Sequence, residues 1–165
     1  MFKSYKIAIA GLFVIGVVLI AYGLVNQFRD PVRRELEHYL KDQIGDLAPL
    51  EEKAINAYHR FEEARNEDKL KAALEDYILP NYESFKDGIQ EIQPELEELA
   101  DLHETLSAAV EAVYKGLSLR LDSLEQGDNQ LRTRARDKIS EGNRLRNEWR
   151  TALKSLADRH GVTFY

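Results

Sequence analysis

The chain contains no cysteine. That excludes a disulfide framework, a cysteine-ligated zinc site and a lipid-modified cysteine as membrane anchor. It does not choose a compartment, because a chain without thiols suits an oxidising exterior and a reducing cytosol alike. Prolines number only four in 165 residues, so long helices can run between them. No segment alternates apolar and polar residues over strand length, and no sheet is expected. Also missing are a phosphate-cradling glycine loop, a nucleophile elbow and an H-E-x-x-H helix. No catalytic residue, metal or cofactor is therefore expected, and the chain reads as a non-enzymatic protein.

The main positive feature is an uncharged run from Ile7 to Val25, flanked by Lys3 and Lys6 before it and by Arg29, Arg33 and Arg34 after it. At about 1.5 Å per residue a helix of this length covers the roughly 30 Å hydrocarbon thickness of a bilayer, with its backbone polar groups paired internally. A retained single-pass anchor is expected over 7–25. The competing reading is a cleavable signal peptide leaving at Ala21-Tyr22-Gly23; its apolar region would be shorter, about 7–15 residues. Lys and Arg near the two ends do not settle orientation. The short basic N-terminus (residues 1–6) favours an inside amino end and an extracytoplasmic C-terminal domain.

Charge is laid out in blocks. Residues 1–34 carry five Lys/Arg and one acid, and residues 126–165 carry nine against five. The stretch between them holds nine bases and twenty-three acids, and the whole chain comes to −6. The basic C-terminal block, from Arg132 through Arg159, has the composition of a nucleic-acid or anionic-lipid patch. Complementing an acidic helix folded beside it is the simpler use, and no nucleic-acid partner is expected.

Apolar residues recur at alternating steps of three and four, as in a heptad seam. One series runs Leu96, Leu99, His103, Leu106, Val110, Val113, Leu117, Arg120, Leu124, and upstream Tyr82, Phe85, Ile89 and Ile92 hold its phase. A second runs from Leu36 through Leu40, Leu47 and Ala57 to Ala64, and a third from Leu131 through Gly142 and Trp149 to Leu156. Gly127-Asp128 offers a left-handed helix end followed by an N-cap. Pro94 with Glu95, Glu97 and Glu98, and Asn66-Glu67-Asp68, look like helix starts. Helices are expected near 31–44, 49–66, 69–92 with a kink or break at Pro80, 94–126 and 128–160. The fold class is all-α: an N-terminal transmembrane helix, then an antiparallel three- or four-helix bundle with coiled-coil-like packing. Residues 26–48 are expected as a juxtamembrane stalk and first helix, 49–162 as the bundle and 163–165 as a tail.

Scattered positions, Ile78-Leu79-Pro80-Asn81-Tyr82, Phe85, Ile89, Ile92-Gln93-Pro94-Glu95, Leu102-His103, Gly127-Asp128 and Leu156-Ala157 through His160-Gly161-Val162, resemble little-characterised, membrane-tethered helical-bundle domains of bacterial surface proteins. The resemblance spans roughly residues 50–162. It implies an extracytoplasmic bundle at a bacterial cell membrane and no catalytic residues.

Two seam positions are polar. His103 in an aliphatic seam must find hydrogen-bond partners, and it is either a satisfied structural histidine or a pH-responsive element. Arg120 must pair with an acid from a facing helix or reach water. Glu35-x-x-His38 and His59 with Glu62 and Glu63 have spacings seen at metal sites, but each lacks the partner motif such sites need. Tyr58, Phe61, Tyr77, Tyr82, Phe85, Tyr114 and Trp149 fit core positions better than a ligand pocket. The leading expectation is an interaction or scaffold module at the outer face of a bacterial membrane. It would present acidic helices or its C-terminal tail to a protein or cell-envelope partner, and homo-oligomerisation through the anchor is compatible with it. The alternative is a sensor-like ligand-binding bundle that signals through a partner.

Overall fold

The computed structural model describes residues 30–163. The expected transmembrane helix, with its flanks Lys3, Lys6 and Arg29, lies outside them, as do Phe164 and Tyr165. Among the described residues no helix is long and apolar enough to cross a membrane.

Those residues form four helices and no strand: α1 (31–63), α2 (67–91), α3 (Glu97–Gln126) and α4 (Asn129–Arg159). Short turns join them, and side-chain pairs give an up-down-up-down bundle. Tyr39 meets His103 and Glu62 meets Arg120, so α1 and α3 run parallel. Glu51 meets Arg146, and Asp30 meets His160, so α4 runs against α1.

Helix ends follow local chemistry. Asp30 Oδ1 accepts from the N–H groups of Val32 (3.0 Å) and Arg33 (3.2 Å), with Pro31 in the first turn where its missing N–H costs nothing. Asn66 caps α2 by accepting from Lys69 N–H at 3.0 Å. Gly127 ends α3 at φ 66°, and Asp128 caps α4 through Gln130 and Leu131. Leu96, at the N-cap position of α3, supplies no capping side chain. That role is filled from α1, where Glu35 Oε1 accepts from the N–H groups of Glu95 (2.5 Å) and Leu96 (3.1 Å).

Neither α1 nor α2 breaks where prolines and Gly45 led the sequence to expect it. Each carries one wide π turn just ahead of a proline: Tyr39–Ile44 before Pro49, and Leu74–Ile78 before Pro80. Gly45 N–H reaches back to Leu40 C=O, and Leu79 N–H to Leu74 C=O, five residues each. An extra residue in one turn shifts the following apolar stripe by about 100°. In α1 the first residue of the turn, Tyr39, which the seam left out, is fully buried beside Leu36, while Leu40 is only half-buried.

The core has two clusters. The larger gathers Ala54, Ala57, Leu74, Ile78, Tyr82, Phe85, Ile89, Val110, Val113 and Leu117. The smaller, at the end nearest residue 30, joins Leu36 and Tyr39 to Leu99, Leu153, Leu156, Ala157 and Val162. Leu36 and Tyr39, within the expected stalk and first helix, are thereby packed into the bundle, and Val162 is buried just past the end of α4. The α3–α4 contact is the closest. A Cβ added at Gly116 would lie 3.0 Å from Ala135 O, and one added at Gly142 would lie 2.7 Å from Ala109 O.

Candidate functional site

Three polar centres are built into the bundle. Two arise at the interruptions of the α3 seam, about 25 Å apart at helical rise.

His103 is buried under α1 and the end of α2. Its Nε2 lies 3.0 Å from Ile89 C=O, an oxygen that can only accept, so Nε2 carries the proton. Nδ1 then accepts from the Tyr39 hydroxyl at 3.1 Å, and the two rings meet edge to face at 5.7 Å. Ser107 Oγ stands 3.3 Å from Nε2. Burial pushes the His103 pKa below its usual 6.5, partly opposed by the bond to Ile89, and burial raises that of Tyr39. The imidazole is therefore neutral near pH 7, and its two nitrogens are both engaged. Trp149 Nε1 is buried nearby without a partner in hydrogen-bonding geometry.

A second centre lies midway, where Arg146 of α4 bonds to Glu51 of α1 and, at 3.3 Å, to the Tyr82 hydroxyl of α2. Burial raises the Glu51 pKa, and the positive charges of Arg146 and Arg150 hold it back.

The third centre is open to solvent, which makes it the candidate site. Arg120 is 5 % exposed. Its Nε and Nη2 donate to Glu62 Oε2 at 3.4 and 3.2 Å, and its Nη1 donates to Ser123 Oγ at 3.2 Å. The paired guanidinium forms the floor of a cleft of about 450 Å³, walled by Phe61, Arg65, Asn66, Glu67, Leu70 and Arg132. Two smaller clefts share Arg120 and Arg132 with it. Arg65 sits in the turn after α1 at φ 51°, a left-handed conformation that glycine adopts at far lower cost. Arg132 touches Glu67 only loosely, at 3.8 Å.

The remaining expected positions do not converge on one site. Arg33 pairs with Glu37 one turn on. Arg34 lines a shallow cleft of about 410 Å³ at the residue-30 end, with Glu35, His38 and Pro94. Glu35 is occupied capping α3, while His38 Nδ1 bonds Asp42 at 2.7 Å, so Glu35-x-x-His38 forms no common site. Glu62 is drawn to Arg120 and away from His59, and among the described residues no group of three or more His, Asp and Glu is placed to hold a metal ion. Of the aromatics, Tyr82 and Phe85 are buried and Tyr58, Phe61, Tyr114 and Trp149 pack against the core. Tyr77 stays 43 % exposed, on an apolar groove between α1 and α2.

Sequence reasoning missed Glu62 as the partner of Arg120, and Ser123, Arg65 and Tyr39 altogether. Only the left-handed turn at Arg65 left a local trace, because a helix ending there has no glycine to take that position.

Set against known protein families, characterised proteins and solved structures, the chain matches none.

Proposed function

We propose that the chain is a single-pass, membrane-anchored helical bundle acting as a non-enzymatic interaction or scaffold module at the outer face of a bacterial membrane. The uncharged run over 7–25 supports the anchor, and the bundle begins within a few residues of its end. The observation that carries the interaction reading is the closed interior. α3 and α4 touch backbone to side chain at Gly116 and Gly142, and His103 makes its hydrogen bonds within the fold. A protein built this way works through its surface. The groove beside Tyr77 and the acidic faces of α1 and α2 are where a protein or cell-envelope partner would bind, and self-association through the anchor is compatible with this.

The test is protease treatment of intact cells paired with crosslinking in native membranes. The bundle is expected to be digested without lysis and to crosslink to a defined envelope partner. Digestion only after lysis would reverse the orientation, and release into the soluble fraction without residues 1–25 would remove the anchor.

A sensor-like ligand-binding bundle is the second reading, favoured by the arginine-floored cleft at Arg120. Recovery of a stoichiometric small molecule with the purified protein would select it.

A further inference from the structure

We propose that the cleft floored by Arg120 binds a small ligand carrying two or more oxyanion groups, phosphate or carboxylate. The inference goes beyond the interaction reading and depends on neither the anchor nor its orientation.

The cleft lies at the turn between α1 and α2, about 50 Å along α1 from residue 31. Its volume of about 450 Å³ falls in the range that encloses small molecules. Three guanidinium groups line it, those of Arg65, Arg120 and Arg132, against two carboxylates, Glu62 and Glu67. A guanidinium presents its N–H donors in a planar fork that matches carboxylate and phosphate oxygens.

The three arginines are not equivalent. Arg120 is held rigid by Glu62 and Ser123, so it is a preformed but charge-paired floor, and the unbalanced positive charge of the cleft comes from the other two. The other two have donors to spare. Among the described residues Arg132 has one distant acid, at 3.8 Å, and the side chain of Arg65 is exposed and makes no hydrogen bond or ion pair. Within the fold, Glu62 already places a carboxylate oxygen against the Nε and Nη2 edge of the Arg120 fork.

The backbone at Arg65 is the second observation. At φ 51° an L-residue is strained where glycine is not. A bare helix-ending turn has no need of an arginine there. A ligand that recruits its guanidinium does.

The experiment titrates the full-length chain, in a nonionic detergent, with pyrophosphate and separately with citrate, read by calorimetry. Saturable binding of one or both probes is expected; pyrophosphate alone assigns phosphate, citrate alone assigns carboxylate. Arg65→Gly is expected to weaken binding about tenfold, the loss of one charge-assisted contact, while raising the melting temperature by relieving the turn. Arg132→Ala is expected to weaken binding to a similar degree. Arg144→Ala, which removes an exposed arginine of α4 paired with Glu148, should leave affinity unchanged. Three results would each overturn the proposal: no saturable binding of either probe at millimolar concentration, R65G and R132A both binding as tightly as the parent chain, or equal weakening by R144A.

Discussion

Replacing Gly142 by alanine tests how tightly α3 and α4 are apposed. In an isolated helix this change is favourable by about 1 kcal/mol, because glycine loses more backbone freedom than alanine on becoming helical. Here the new methyl would lie 2.5 Å from Val113 Cγ2, 2.7 Å from Ala109 O and 3.1 Å from Val113 N. The side chain of Val113 has little room to turn on a helix, and the two backbone atoms move only if α3 moves. Relief requires a separation of several tenths of an ångström along the longest contact in the fold. Overpacking of this kind costs about 1–3 kcal/mol, and contact with backbone places it near the upper end. The net expectation is a loss of about 1–2 kcal/mol, or roughly 4–8 °C in melting temperature for a domain of this size. Gly88→Ala is the matched control. The three atoms nearest its methyl would all belong to the side chain of Leu47, at 2.5, 3.0 and 3.3 Å, and a leucine end can rotate away. That variant should be as stable as the parent or better. Thermal unfolding of the full-length chain, followed by circular dichroism at 222 nm, reads both. If G142A melts at or above the parent temperature, the close approach of the two helices is refuted.

Acid should destabilise the bundle through His103. Its folded pKa lies below the unfolded 6.5, so on acidification the unfolded chain takes up the proton first; the stability is present above about pH 6.5 and is lost as pH falls toward the folded value. His103→Gln should flatten that slope in urea melts between about pH 5 and 7, and an unchanged slope would show that the imidazole contributes nothing to it. Glu35→Ala strips α3 of the acceptor for Glu95 and Leu96 N–H and should cost about 1 kcal/mol. Glu37→Ala, which removes only the half-buried i,i+4 pair with Arg33 on the same helix, should cost less than about 1 kcal/mol, and equal losses from the two would argue against capping across helices.

Features governed by neighbours in the chain were readable in advance. Gly127-Asp128 ends one helix and starts the next because a left-handed residue and an N-cap are both local needs, met without any other segment. The same holds for Asn66. The α3 seam was legible because three-four alternation over nearly thirty residues leaves one consistent buried face, and its two polar members, His103 and Arg120, stand out against it. The continuity of α1 and α2 was not legible. Proline forbids one hydrogen bond, but whether a helix stops or widens by one residue depends on what packs beyond it. Tyr39 buried against His103, and Leu74 with Ile78 in the main core, hold both helices together through their π turns. Gly116 belonged to no apolar stripe, and only the facing surface of Ile139 and Ala135 gives it a purpose.

By itself, the order of residues determined the helical class of the described bundle, its turns, and which face of α3 turns inward, since periodicity and capping act over a few residues. Tertiary structure alone decided that Glu35 would cap a helix 60 positions away and that Glu62 would neutralise Arg120. It also brought Arg65 and Arg132, 67 positions apart, to one cleft. Pairings of that kind depend on the relative register of whole helices, which is set by the summed packing of many side chains and carries no signature at either partner's own position.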